Sequence, residues 1–275
     1  MLTSSYPLKP DDYRGGFVRD LGMTLMDAGM DVEVAVPRPR GADAAPFDDP
    51  EGPRILWLPS ILPGRARGFH EAGIETNLQK DPLAALTIPP FLLAYAAEAF
   101  VRAMFCDCIL AHWLLPMGAV GAVLARVTGK PLVVVAHSGP PPAARLPPMV
   151  QTVRYTAGRA SWVVCVSDSV RRQVLDMVGG GHNEHVLTLP LGIDLRPSAQ
   201  PPRHGRGDLK LLFTGRLVRM KGLDVLMKSI RDMEGVRLTV MGEGPGGPVK
   251  NGGEQAQLVF HGAAAPEDVR AAMQT

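Results

Sequence analysis

Arg216 and Lys221 stand in one corner of the stretch 211-LLFTGRLVRMKGLDVL-226, between an apolar run and residues that resume at helical spacing. A planar guanidinium fork and an ammonium, set where a strand hands over to a helix, suit a diphosphate, and the helix dipole reinforces both. Gly215 and Gly222 bracket the two cations and permit close backbone approach; a solvated basic loop is the alternative. In 13-YRGGFVRD-20, Gly15 and Gly16 lead directly into a helical pattern, where free N–H groups suit a phosphate or simply make a tight turn. His137 closes the apolar run 132-LVVVAH-137 and precedes Ser138-Gly139. That places it in the crevice at the strand ends, unless it is a satisfied structural histidine. His112, in 110-LAHWLLPMG-118, is a weaker second candidate, read first as structural. The stretch 242-GEGPGG-247, with Gly242 and Gly244, matches G-x-G-x-x-G after the strand-like 236-VRLTVM-241. Pro245 and Pro248 disfavour a long helix there, and the next apolar run ends in His261-Gly262 rather than in the acidic residue a ribose would want. An NAD-dependent oxidoreductase is therefore a competing reading with little support.

These residues need strand ends to stand on, and the chain supplies them. Runs at 32–36, 54–58, 109–113, 132–137, 162–166 and 186–190 read as strands, with a very short one at 2–4. Between them lie helical patterns such as 17–26, which Gly29 is placed to end, 116–128, and 168–178 with Ser167 as N-cap. Unbroken Val/Leu runs predict strands buried on both faces, hence a parallel sheet flanked by helices. The segment 196–208 is rich in Pro, Arg and Gly and reads as a linker. A second β/α series follows: strand 209–214, helix 221–232, strands 236–241 and 257–260, helix 266–273. The expected fold class is α/β, with a domain over 1–195, the linker, and a partial domain over 209–275.

The bulk properties exclude other classes. With 275 residues, 46% hydrophobic and 20% charged, the chain is globular. A net charge of +2 argues against a nucleic-acid partner. The three cysteines, Cys106, Cys108 and Cys165, are expected to be buried structural thiols in a reduced, cytoplasmic protein. No D-x-D and no His/Glu cluster suggests a metal, and G-x-S-x-G is absent. The N-terminus lacks the basic start and apolar core of a signal peptide. The lipid-like stretch 88–105 is broken by Glu98 and Arg102 and is expected to be a helix with one wide buried face. The stretch 61-ILPGRARGFH-70 mixes apolar and basic residues and is either a peripheral contact with the inner face of a membrane or a surface loop.

Taken in order, TSSYP with RGGF, ILAHWLLPMG, VVVAHSG, ASWVVCVSDSVRRQV, VLTLPLGID, LLFTGRLVRMKGLDVLMKSI, LTVMGEGPGG and LVFHGAAAPEDVRAAM resemble the retaining, GT-B-fold glycosyltransferases of family 4. The resemblance implies two Rossmann-like domains with a nucleotide-sugar donor, UDP-, GDP- or ADP-linked, and a glycan or lipid-linked acceptor. It implies transfer of a hexose to an acceptor hydroxyl with retention, in polysaccharide or glycolipid synthesis, with no metal cofactor. By position, Arg216 and Lys221 match the pair on the donor diphosphate, and Gly15 and Gly16 match the loop near the phosphates. His137 matches the histidine near the transferred sugar. Gly242 and Gly244 match the loop by the base, with His261 and Gly262 beside it. The chain departs from the family in a short first strand, in Leu191 where an Asn is usual, and in a Gly-rich 246–257 where a helix is usual. The family's Glu-x7-Glu donor motif would fall after Thr275, so a C-terminally truncated remnant that at most binds nucleotide weakly is the alternative to an active enzyme.

Overall fold

The computed structural model describes residues 1–9, 12, 15–38, 49–58, 86–140, 145–179, 184–192, 209–244 and 257–274. The linker-like 196–208, the mixed stretch 61–70 and nearly all of 246–257 lie outside them. The chain divides into two compact units, Met1–Ile193 and Asp194–Thr275.

The first unit is a parallel sheet with helices on both faces. Its strands are β1 (Glu33–Pro37), β2 (Arg54–Leu58), β3 (Ile109–His112), β4 (Leu132–Ala136), β5 (Trp162–Cys165) and β6 (Val186–Thr188). β1 pairs with β2, and β3 to β6 pair in sequence order, all parallel. The N-terminal segment joins the two groups. Leu2 bridges Ala35 on one side and Ala111 on the other, its N–H donating to Leu110 O at 2.7 Å and its carbonyl accepting from His112 N at 2.9 Å. The short strand expected at 2–4 is thus a single bridging residue in the middle of the sheet.

Strand alternation shows why both faces must be covered. Val34 and Val36 of β1 pack with Tyr6, Val18 and Val32, alongside Phe17, Leu25 and Met26 of α1 (Gly16–Asp27). Ala35, between them, turns to the opposite face and joins Phe91, Tyr95, Ala99 and Ala103 of α2 (Ile88–Ala103). Those four recur every fourth residue, and Ile88, Leu92, Ala96 and Phe100 widen the stripe, as the sequence predicts for 88–105. Tyr95 is fully buried, and its hydroxyl is satisfied by donating to Ala35 O at 2.7 Å. The remaining helices are α3 (Ala119–Thr128), α4 (Pro147–Arg159) and α5 (Asp168–Val178). Ser167 caps α5 as expected, its Oγ accepting from Val170 N at 3.3 Å.

Two expectations fail here for identifiable reasons. The helix expected from residue 116 starts at Ala119, because Leu114–Gly118 forms a wide turn in which Leu115 is extended. Pro116 biases the residue before it away from helical geometry and offers no N–H of its own. Of the three cysteines, only Cys165, within β5, is buried; Cys106 is half-buried and Cys108 exposed, because both fall in the turn between α2 and β3.

The second unit contains a three-stranded parallel sheet, β7 (Leu209–Thr214), β8 (Val236–Met241) and β9 (Gln257–Gly262), in the order β7-β8-β9. Leu238 and Val240 on central β8 are fully buried, whereas the apolar residues of β7 and β9 are half-buried or, at Leu209, exposed. Leu223, Met227 and Ile230 of α6 (Leu223–Ile230) form the apolar stripe that covers β8. The helix expected from 221 is shorter than its pattern, because Arg219–Lys221 winds as a tight 3₁₀ turn that ends at left-handed Gly222 (φ 73°). The last helix, α7, runs from Pro266 to Ala272.

Candidate functional site

Each unit gathers its chemistry-bearing residues at the C-terminal ends of its strands. In the first unit, Gly15 sits in the left-handed region at φ 71° and caps α1. A Cβ there would lie 2.8 Å from the backbone of Ser5 and Tyr6, so only glycine lets the loop and helix meet. Gly16 differs: among the described residues, a Cβ there would meet nothing within 4 Å.

Phe17, next in the chain, leads to the histidines. Its ring lies 4.6 Å from that of His137 and 5.9 Å from that of Trp113, and Trp113 is 5.1 Å from His137, centroid to centroid. His112 closes β3 and is fully buried. His112 Nδ1 and His137 Nε2 are 2.8 Å apart in a direct hydrogen bond. His137 and His112, the stronger and the weaker candidate by sequence, are thus joined. Burial holds both imidazoles neutral. The pKa of His112 is pushed well below the ordinary 6.5, with His137 beside it as a second cause. That of His137 falls to about 4, from desolvation.

Nothing in the sequence marks Phe17 and Trp113 as site residues, since aromatic residues beside apolar runs look like core. Trp113 carries the stronger mark: at φ 67° it is the only non-glycine residue with positive φ among the described residues. Such a conformation costs on the order of 1–3 kcal/mol and persists only when its surroundings fix it. Here the Trp113 N–H donates to Val135 O at 2.7 Å and its carbonyl accepts from Gly118 N at 2.9 Å. A Cβ on Gly118 would lie 2.8 Å from that carbonyl. The Trp-to-Gly118 turn is therefore a built feature that sets the indole against His137.

In the second unit, three strand ends are stitched together by backbone bonds. Gly215 N donates to Met241 O at 3.0 Å, Leu217 N to Glu243 O at 2.9 Å, and Gly242 N to Gly262 O at 2.7 Å. The glycines make this possible. A Cβ on Gly242 would lie 1.8 Å from Gly215 O, and one on Gly244 would lie 2.6 Å from Leu217 O. The G-x-G pair is thus required by loop-to-loop packing alone, which is why its match to a dinucleotide motif carries so little weight. Gly262 is left-handed at φ 74°, and Glu243 Oε1 accepts from Ala263 N at 3.3 Å. Arg216 and Lys221 are both exposed, Arg216 beside the Gly215–Gly242 contact and Lys221 at the end of the 3₁₀ turn, one residue before the Gly222 cap of α6. His261 is exposed at the end of β9. The first unit thus brings Gly16 and His137 to one site through Phe17, and the second brings Arg216, Gly242, Gly244 and Gly262 to another.

Among the described residues, no three His, Cys, Asp or Glu side chains cluster as metal ligands would, and no helix is long and apolar enough to cross a membrane.

The fold has relatives of known structure. Anabaena Alr3699/HepE, solved with UDP-glucose, superposes with a TM-score of 0.61 at 17% identity, over 96% of this chain and 68% of that one. The lipopolysaccharide outer core galactosyltransferase WaaB gives 0.60 at 10% identity, over 100% of this chain and 70% of its own. Arabidopsis thaliana UGT89C1, solved with UDP-L-rhamnose, gives 0.53 at 15% identity, over 98% and 70%. These likenesses bear out the expected GT-B architecture of Rossmann-like units. The sequence has no significant match among curated proteins. The profile described as Glycosyltransferase Family 4, however, matches residues 16–196, more than half of the chain. That match begins at the first residue of α1 and takes in Phe17, His112, Trp113 and His137, and on it the chain belongs to glycosyltransferase family 4.

Proposed function

We propose that the protein transfers a hexose from a nucleotide sugar to an acceptor hydroxyl with retention of configuration, in polysaccharide or glycolipid synthesis. The observation that carries this reading is the pair of exposed cations between β7 and α6, Arg216 just after the strand and Lys221 at the end of the 3₁₀ turn before the Gly222 cap. In this reading Arg216 and Lys221 hold the donor diphosphate and take up the charge that develops as it leaves. Gly242 and Gly244, with His261 and Gly262, border the base. In the first unit, Gly15 and Gly16 form the phosphate loop, the space at Gly16 leaves room for an oxygen, and His137 meets the transferred sugar. The donor is UDP-, GDP- or ADP-linked; HepE and UGT89C1 were solved with UDP-sugars. No metal is needed, because fixed cations and backbone dipoles supply the field. The leaving phosphate helps to deprotonate the acceptor hydroxyl, and the protein supplies position. The acceptor is a glycan or a lipid-linked molecule, met in the cytoplasm or at the inner face of a membrane.

The test is transfer itself. Labelled UDP-, GDP- and ADP-hexoses are offered with a glycolipid acceptor extract, and the anomeric configuration of the product is read by NMR. Retained configuration supports the reading. Inversion overturns the mechanism, and the absence of transfer from every donor supports the binding-only remnant.

A further inference from the structure

The histidine pair contains an asymmetry that decides which ring holds which proton. The two rings are nearly coplanar, 6° apart, with centroids 5.1 Å apart. That separation is about as long as a 2.8 Å N···N contact allows, so the rings meet edge to edge along a straight hydrogen bond rather than face to face. One proton lies between His112 Nδ1 and His137 Nε2, and either ring could own it. The far nitrogen of His112 settles the ownership. Among the described residues, His112 Nε2 is buried with no hydrogen-bond partner, in a residue with no exposed surface.

If His137 were the donor, neutral His112 would have to carry its own proton on Nε2, leaving a buried N–H with no acceptor. If His112 donates from Nδ1, its Nε2 is a bare lone pair. An orphaned buried N–H is the rarer and costlier of the two. We propose that His112 is a positioning residue: its Nδ1–H donates to His137 Nε2, which fixes His137 as the Nδ1–H tautomer, oriented to donate to an oxygen of the bound substrate. No protein hydrogen bond occupies His137 Nδ1 among the described residues, and Phe17 and Trp113 hold the ring from two further sides. With Nε2 already accepting, His137 cannot take a proton from the acceptor hydroxyl. It serves as a neutral donor, and the base must be found elsewhere, as in a leaving phosphate. The identity of that oxygen rests on the proposed function; the tautomer does not.

The test reads the tautomer directly. The full chain is labelled with ¹⁵N-histidine, and two-bond ¹H–¹⁵N correlations are recorded at neutral pH without nucleotide, with His112→Asn and His137→Asn used to assign the signals. Both rings are expected as neutral Nδ1–H tautomers. His112→Asn keeps an N–H donor near the same place and is expected to keep His137 in that form. His112→Leu removes the donor and is expected to move His137 toward the Nε2–H form, lowering kcat on the order of tenfold with KM less affected, while the Asn variant restores most of the rate. An Nε2–H signal for His137 in the unmodified chain overturns the proposal, as does an unchanged tautomer in His112→Leu. Should the Leu variant fail to fold, the unmodified chain still decides. The expected tautomer together with no turnover of any nucleotide sugar would uphold the pair and overturn only the donor reading.

Discussion

Gly15 and Gly16 are neighbours with opposite demands, and substitution separates them. Gly15→Ala would place a methyl 2.8 Å from the Ser5 and Tyr6 backbone at a left-handed φ of 71°. We expect it to lose about 1–3 kcal/mol of stability in urea unfolding. Gly16→Ala meets nothing within 4 Å among the described residues and should change stability by less than about 0.5 kcal/mol. If that space holds a donor phosphate, the same Gly16→Ala protein should bind donor more weakly despite being as stable as the parent; equal donor affinity would remove Gly16 from the site. Residue types revealed half of this. Arg216 and Lys221 stand out in the sequence because glycines punctuate them, and His137 because a polar residue ends an apolar strand. Trp113 does not stand out, since nothing in its type announces a positive φ, and the role of His112 depends on a neighbour 25 residues away.

The elements were more legible than their ends. Strands β2, β7 and β8 and helix α5 match their expected bounds because a run of β-branched or aliphatic residues stops abruptly at a glycine, a proline or a capping serine. Where helical periodicity begins ahead of the first true helical residue, the sequence misleads. The turn at Leu114–Gly118 and the 3₁₀ turn at Arg219–Lys221 both have apolar or basic residues at helix-compatible spacing, yet the Pro116 ring and the Gly222 cap set the boundary. The second case matters for chemistry, since Lys221 projects from a tight turn ahead of α6 instead of from its first turn. Helix α4, which opens on two prolines and carries Val153, Thr156 and Ala157 into the core, had no strong pattern to announce it. A cap that was legible offers the test at this scale. Ser167→Ala removes the acceptor for Val170 N, and thermal or urea unfolding should show a loss of about 1 kcal/mol. No loss would mean that the tertiary packing of Val170, Val174 and Val178 alone fixes the start of α5.

At the scale of the molecule, the buried histidines tie folding to pH. His112 and His137 have folded-state pKa values below the ordinary 6.5, about 4 for His137. The unfolded chain therefore binds protons that the folded chain refuses. The contribution of His137 to stability is complete above about pH 6.5 and is lost as the pH falls from there toward 4, and His112 adds a loss of the same sign. Urea midpoints recorded across that interval should decline, and His137→Asn should flatten part of the decline. Asp49, held below its ordinary 3.8 first by the Arg19 hydrogen bond, adds a loss of the same sign at lower pH than the interval set by His137. The division into α/β units was readable from alternation of strand and helix patterns, and the coverage of both faces of the first sheet from unbroken valine runs. What joins Leu2 to both halves of that sheet was not, because a one-residue bridge leaves no periodicity.

The claim on which the rest depends is that the corner at Arg216 and Lys221 binds a nucleoside diphosphate. The direct measurement is calorimetric titration of UDP, GDP and ADP into the full chain and into its Lys221→Ala variant, each shown folded by circular dichroism. One nucleotide should bind in preference to the others, and the variant should bind it more weakly by about 1.5–3 kcal/mol, the worth of one charge-assisted contact. Binding of equal strength in the variant, or no binding of any of the three beside a strong response to reduced nicotinamide dinucleotide, would contradict the account.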